Sequence, residues 1–179
     1  MALLSRRLSF GLGLFGLAAL SGKAQTLANE YSVKAAYLYN FAKFVEWPGQ
    51  AGNPGTPLMI VVFGENAFGA VLKQTVQGET VDGRAISVRS VSRIEDLRPC
   101  HILFFGSSNK NGLAEVLRAT QGAGILTVGD ADEFVQLGGV IGFVPEGNKI
   151  RFEINLGAAR RNRLTISAKL LRVAKGVRE

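Results

Sequence analysis

Between Leu58 and Phe63 the chain reads LMIVVF, six apolar residues in a row closed by Gly64. Side chains of a strand alternate between the two faces of a sheet, so a run apolar at every position has to be covered on both. That requirement places the segment inside a parallel sheet with helices above and below it. His101 to Phe105 is a second such run, and Ile125 to Val128, ending at Gly129-Asp130, supplies a further strand.

The segments between these runs have the composition of connecting helices. Asn66 is positioned to cap a helix over Ala67 to Gln77, with Phe68, Val71, Leu72 and Val76 inward and Gly78 as its stop. Asp82-Gly83 turns the chain into a strand over Ala85 to Val91, and a polar loop from Gly106 to Gly112 leads to a helix over Leu113 to Thr120. A short helix is expected over Asp130 to Gln136. Val140 to Val144 and Lys149 to Asn155 are then joined through Glu146-Gly147-Asn148 as a hairpin at a sheet edge. Asn155 and Ser167 each cap a C-terminal helix, through Arg163 and Lys175, the second with Leu170, Leu171 and Val173 inward. The order implies an α/β single-domain sandwich: a mixed, mostly parallel central sheet between helical layers, finished by an antiparallel hairpin.

Upstream lies the most aromatic helix, Tyr31 to Pro48. Val33, Ala36, Tyr37, Phe41, Phe44 and Val45 recur at the spacing of one helical face, with Lys34 and Lys43 off it. Glu30 and Lys34 form an i, i+4 pair in the favourable order, and Pro48-Gly49 ends the helix.

Met1 to Ala24 reads as a cleaved signal peptide, with Arg6 and Arg7 ahead of a short apolar stretch from Ser9 to Leu20 and small residues at Gly22 and Ala24. The apolar run is shorter than the roughly 20 residues of a membrane span. Residues 25–179 then form one domain. The chain's net charge of +7 falls to +4 without the leader, and no basic run of five or more is present, which argues against nucleic acid as a partner. Cys100 is the only cysteine, so no internal disulfide is available in an oxidising compartment.

Candidate chemistry is sparse. Cys100 and His101 are adjacent, but neighbouring strand residues point to opposite faces, so a buried structural cysteine is the reading preferred over a nucleophile. With one histidine and one cysteine, neither a metal centre nor a cofactor is expected. Gly106-Ser107-Ser108-Asn109 follows a strand and precedes a helix, where backbone N–H groups and hydroxyls suit an anion; Ser107 and Ser108 are the candidate ligand crevice. The stretch lacks the dinucleotide glycine fingerprint and the P-loop lysine. Asp130, Asp132 and Glu133 read as a solvated helix start, and Arg160, Arg161 and Arg163 as a solvated helix end.

KAAYLYNFAKFVEWP resembles the N-terminal signature of the YfiR family of periplasmic regulators. ILTVGDADEF, GGVIGFV, IRFEINLGAA and ISAKLLRVAK, between Ile125 and Lys175, are similar to its C-terminal signature, and CHILFFGSS to its central strand. The resemblance implies a non-enzymatic periplasmic protein with an α/β sandwich fold that tends to form a homodimer. It also implies repression of an inner-membrane diguanylate cyclase through the cyclase's periplasmic sensory domain, lowering cyclic di-GMP and biofilm formation. Phe44, Trp47 and Phe143 are the candidate partner contacts. The family's studied repressor is tuned by disulfides, and Cys100 stands at one such position without a partner. The reading from another class is a periplasmic small-solute-binding module using the Ser107-Ser108 crevice.

Overall fold

Ile60 and Val62 face one way from their strand and Val61 the other, and all three are fully buried. The same alternation recurs at Ile102 and Phe104 against Leu103 and Phe105. A sheet covered on both faces follows. The structure, a computed structural model, describes residues 17–47, 55–64, 67–108 and 112–179. Most of the expected leader, the Pro48-Gly49 stop, the Asn66 cap and Asn109 lie outside the described residues.

In chain order the elements are α1 (Leu17–Phe44), β1 (Val45–Glu46), β2 (Leu58–Phe63), α2 (Ala67–Thr75), β3 (Thr80–Val81), β4 (Arg84–Val91), β5 (Ile102–Phe105), α3 (Leu113–Thr120), β6 (Leu126–Gly129), β7 (Ile141–Glu146), β8 (Lys149–Asn155), α4 (Leu156–Arg161), β9 (Thr165–Ile166), α5 (Ala168–Val173) and β10 (Gly176–Arg178). Eight strands make one sheet in the order β10-β8-β7-β6-β5-β2-β4-β3, while β1 and β9 form a separate ribbon. From β4 through β7 every pairing is parallel; β7–β8 is the antiparallel hairpin. One face packs against α1, α2, α4 and α5, and the other against α3 and the turn carrying Phe134.

The caps at Asn155 and Ser167 form as expected: Ala158 N–H donates to Asn155 Oδ1 at 2.8 Å and Lys169 N–H to Ser167 Oγ at 3.3 Å. Several expectations need correction. α5 ends at Val173, which is 58% exposed rather than inward. The chain then turns back, and β10 pairs parallel with β8, so the hairpin is one strand in from the edge. Residues 131–137 are turns, not a helix.

The reason for those turns is the Phe134 ring. It lies on the backbones of Gly129 and Gly139, where added Cβ atoms would fall 2.4 and 2.1 Å from ring carbons. Only glycine on both sides lets the ring reach that depth, and Phe134 is 2% exposed.

α1 is rotated from the expected face. Its buried side is Lys34, Ala35, Leu38, Phe41 and Ala42, continued by Val45 of β1, while Val33 and Ala36 are exposed. Phe41 sets the rotation, meeting Phe152 edge-on at 5.0 Å and stacking with Phe143 at 5.9 Å. Burial of a ring of this size stabilises by roughly 1.5–3 kcal/mol. The same turn carries Lys34 inward, 4% exposed, where it forms ion pairs with Glu30 and Asp130.

Two stability measurements follow. Lys34→Met leaves the Asp130 and Glu30 carboxylates without their cation and is expected to cost about 3 kcal/mol in urea unfolding, with Lys34→Met/Asp130→Asn losing less than the sum of the single changes. Gly139→Ala forces the Phe134 ring out and is expected to cost about 1–3 kcal/mol, partly restored when combined with Phe134→Leu.

Candidate functional site

The chain enters the parallel sheet at β2, adds β4 on one side and returns to add β5 on the other. In open α/β sheets, ligands bind beyond the carboxyl ends of the strands that flank such a reversal. Ser107 and Ser108 follow β5 at this point and are exposed, so the sequence-derived crevice falls at the switch point.

Its most useful donor is already engaged. Ser107 N–H donates to Asp130 Oδ1 at 2.5 Å, and Lys34 Nζ donates to Asp130 Oδ2 and to Glu30 Oε1, the latter at 2.5 Å. Burial depresses the pKa of the Lys34 ammonium, but the hydrogen bonds to Asp130 and Glu30 outweigh burial and hold it above the ordinary lysine value. Asp130 therefore fills the anion position from within the chain. Asp132 and Glu133 are exposed, as expected.

Cys100 and His101 sit at the opposite end of β5. The Cys100 thiol donates to Ile102 O at 3.3 Å, and burial pushes its pKa up to about 12, far from the range of a reactive thiolate. His101 is 7% exposed and bridges strands: its backbone N–H donates to Met59 O at 2.9 Å, while Met59 N–H donates to the ring at His101 Nδ1 at 3.0 Å. Arg84 Nη2 lies 2.9 Å from His101 Nε2. Burial first, and the Arg84 guanidinium second, push the His101 pKa below its usual value. The ring is a neutral strut between β2 and β5.

The three candidate partner contacts differ in access. Phe44 and Trp47 are half-buried against the core, whereas Phe143 is 5% exposed among Tyr37, Phe41 and Phe104. Apolar side chains with more surface are Leu27 and Val33 on α1 and Val173 and Val177 beside the β10 edge. Sequence reasoning placed Val33 and Val173 inward and did not single out Leu27 or Val177, because isolated exposed aliphatic residues carry no pattern. Arg160, read as solvated, pairs with Glu179 at 2.5 Å on the exposed surface.

The family model described as YfiR/HmsC-like matches residues 31–175, and the chain belongs to that family. The family is a periplasmic one, regulatory rather than catalytic. Among the described residues no helix is long and apolar enough to cross a membrane. No curated protein matches the chain significantly. Two solved structures share the fold. One is a conserved domain protein from Vibrio cholerae, with a TM-score of 0.54 and 13% identity over 80% of this chain and 60% of that one. The other is the ABC domain from Streptococcus pneumoniae in complex with L-Trp, with a TM-score of 0.51 and 12% identity over 70% of this chain and 56% of that one. This chain thus spans less than two thirds of either, and the likeness is one of fold alone.

The depressed His101 pKa has a sign. The unfolded state, with the ordinary value of 6.5, takes up a proton first as pH falls. The stabilising contribution is present above pH 6.5 and is lost as pH falls through the lower folded value. The urea midpoint of the wild type is expected to drop on acidification from neutral pH, and His101→Gln to flatten that part of the profile.

Proposed function

We propose that this member of the YfiR/HmsC-like family binds the periplasmic sensory domain of an inner-membrane diguanylate cyclase and holds the cyclase at low output, lowering cyclic di-GMP and biofilm formation. The observation that carries the reading is the family match over residues 31–175, which takes in nearly the whole folded domain. The fold supports it through what its polar groups are engaged in. The carboxylate at the switch point is bound to Lys34 and Ser107, the histidine spans two strands, and the thiol is protonated. Each serves the structure.

The chain is exported, loses its leader after Ala24, and acts through contact with a membrane protein. Phe44 and Trp47 retain enough surface to take part. Self-association as a homodimer belongs to the same reading. A second reading, a periplasmic solute-binding module at Ser107 and Ser108, is favoured by their place at the topological switch point. It requires a solute that displaces Asp130 from the Ser107 amide.

Capture from detergent-solubilised membranes tests the leading reading. A tagged chain beginning at Gln25 is expected to bring down a membrane protein with a cytoplasmic cyclase domain, and deletion of the gene to raise cellular cyclic di-GMP several-fold. Unchanged cyclic di-GMP, with no cyclase recovered, would sink it.

A further inference from the structure

At the amino-terminal end of the parallel strands, away from the switch point, a cavity of about 610 Å³ opens between Trp47, the start of β5 and the turn after α4. Its volume is that of a small-molecule site, roughly 300–1,000 Å³, and many times the roughly 30 Å³ share of one water. Two of its lining residues each carry a buried polar atom that lacks a hydrogen-bond partner among the described residues: the donor Trp47 Nε1 and the acceptor Asn162 Oδ1. Asn162 is 5% exposed, and its Nδ2 is committed to Ala158 O at 3.1 Å, which fixes the amide. Buried polar atoms are nearly always partnered in folded proteins, so an unmet donor and an unmet acceptor on two residues that line one cavity point to a ligand carrying both an acceptor and a donor.

Charge narrows the choice further. Arg98 and Arg163 line the cavity from exposed positions, and Arg84 stands behind the His101 wall, 2.9 Å from Nε2. No carboxylate is among the described lining residues. Such a rim attracts an anion and disfavours an ammonium group.

We propose that this cavity binds a small organic carboxylate that also carries a hydroxyl or amide N–H, with Trp47 Nε1, Arg98 and Arg163 meeting the carboxylate and Asn162 Oδ1 accepting from the donor. The site is separate from the Ser107-Ser108 crevice; it shares Trp47 with the proposed partner surface, and its test needs no cyclase.

Trp47 is the chain's only tryptophan, so its intrinsic fluorescence reports on the cavity directly. Titration of the exported chain with L-lactate, L-malate and N-acetylglycine is expected to give a saturable change with at least one of them. Acetate and succinate, which offer carboxylates without the donor, are expected to bind at least about tenfold more weakly. Arg98→Gln and Arg163→Gln alter exposed side chains and are each expected to weaken binding about tenfold at an unchanged unfolding midpoint. Asn162→Leu, if it folds, is expected to remove the preference for the donor-bearing acids. No saturable response to any of these acids from a folded chain would overturn the proposal. An equal response to malate, succinate and sulfate would overturn it too, leaving an adventitious ion only.

Discussion

A single carboxylate ties the two halves of this molecule together. Asp130 stands at the end of β6 and uses one oxygen for the Ser107 amide and the other for Lys34 on α1. A lysine buried to this depth is unfavourable alone, because desolvation opposes its charge. It is tolerated because Asp130, itself largely enclosed, and the half-exposed Glu30 supply the countercharge. The pair holds one side of α1 in the rotation that Phe41 sets against the hairpin aromatics.

Beneath that contact the turn after β6 depends on an absence of side chains. Phe134 reaches the second core only because Gly129 and Gly139 leave room on either side. The two glycines sit in the ILTVGDADEF and GGVIGFV blocks, so the conformation behind those motifs is a ring cradle. Asp130 follows Gly129 directly, and the cradle therefore also sets where the carboxylate of the ion pair points.

The strands were legible because a run with no polar face has few alternatives: Leu58–Phe63 has the expected bounds, as does the α3 helix over Leu113–Thr120, and the caps at Asn155 and Ser167 rest on local chemistry. Long-range pairing was not legible. Lys34 read as an outward charge because its partner lies 96 residues away, and Asp130 read as a solvated helix start for the same reason. Residues 131–137 carry helix-like composition, but the ring packing of Phe134 overrides it. The crevice at Ser107 and Ser108 could be located from strand–turn–helix order. The cavity beside Trp47 could not, since its walls come from separate segments and share no motif.

The two ends of the main sheet are β3, of two residues, and β10, of three. β3 reaches only Arg84 and Ala85 of β4, however, so among the described residues no strand pairs with the outer side of Ile86–Val91. A border of that length offers another chain a ladder to extend. Assembly of this domain therefore has two routes, side chains on its helical layers and backbone at β4.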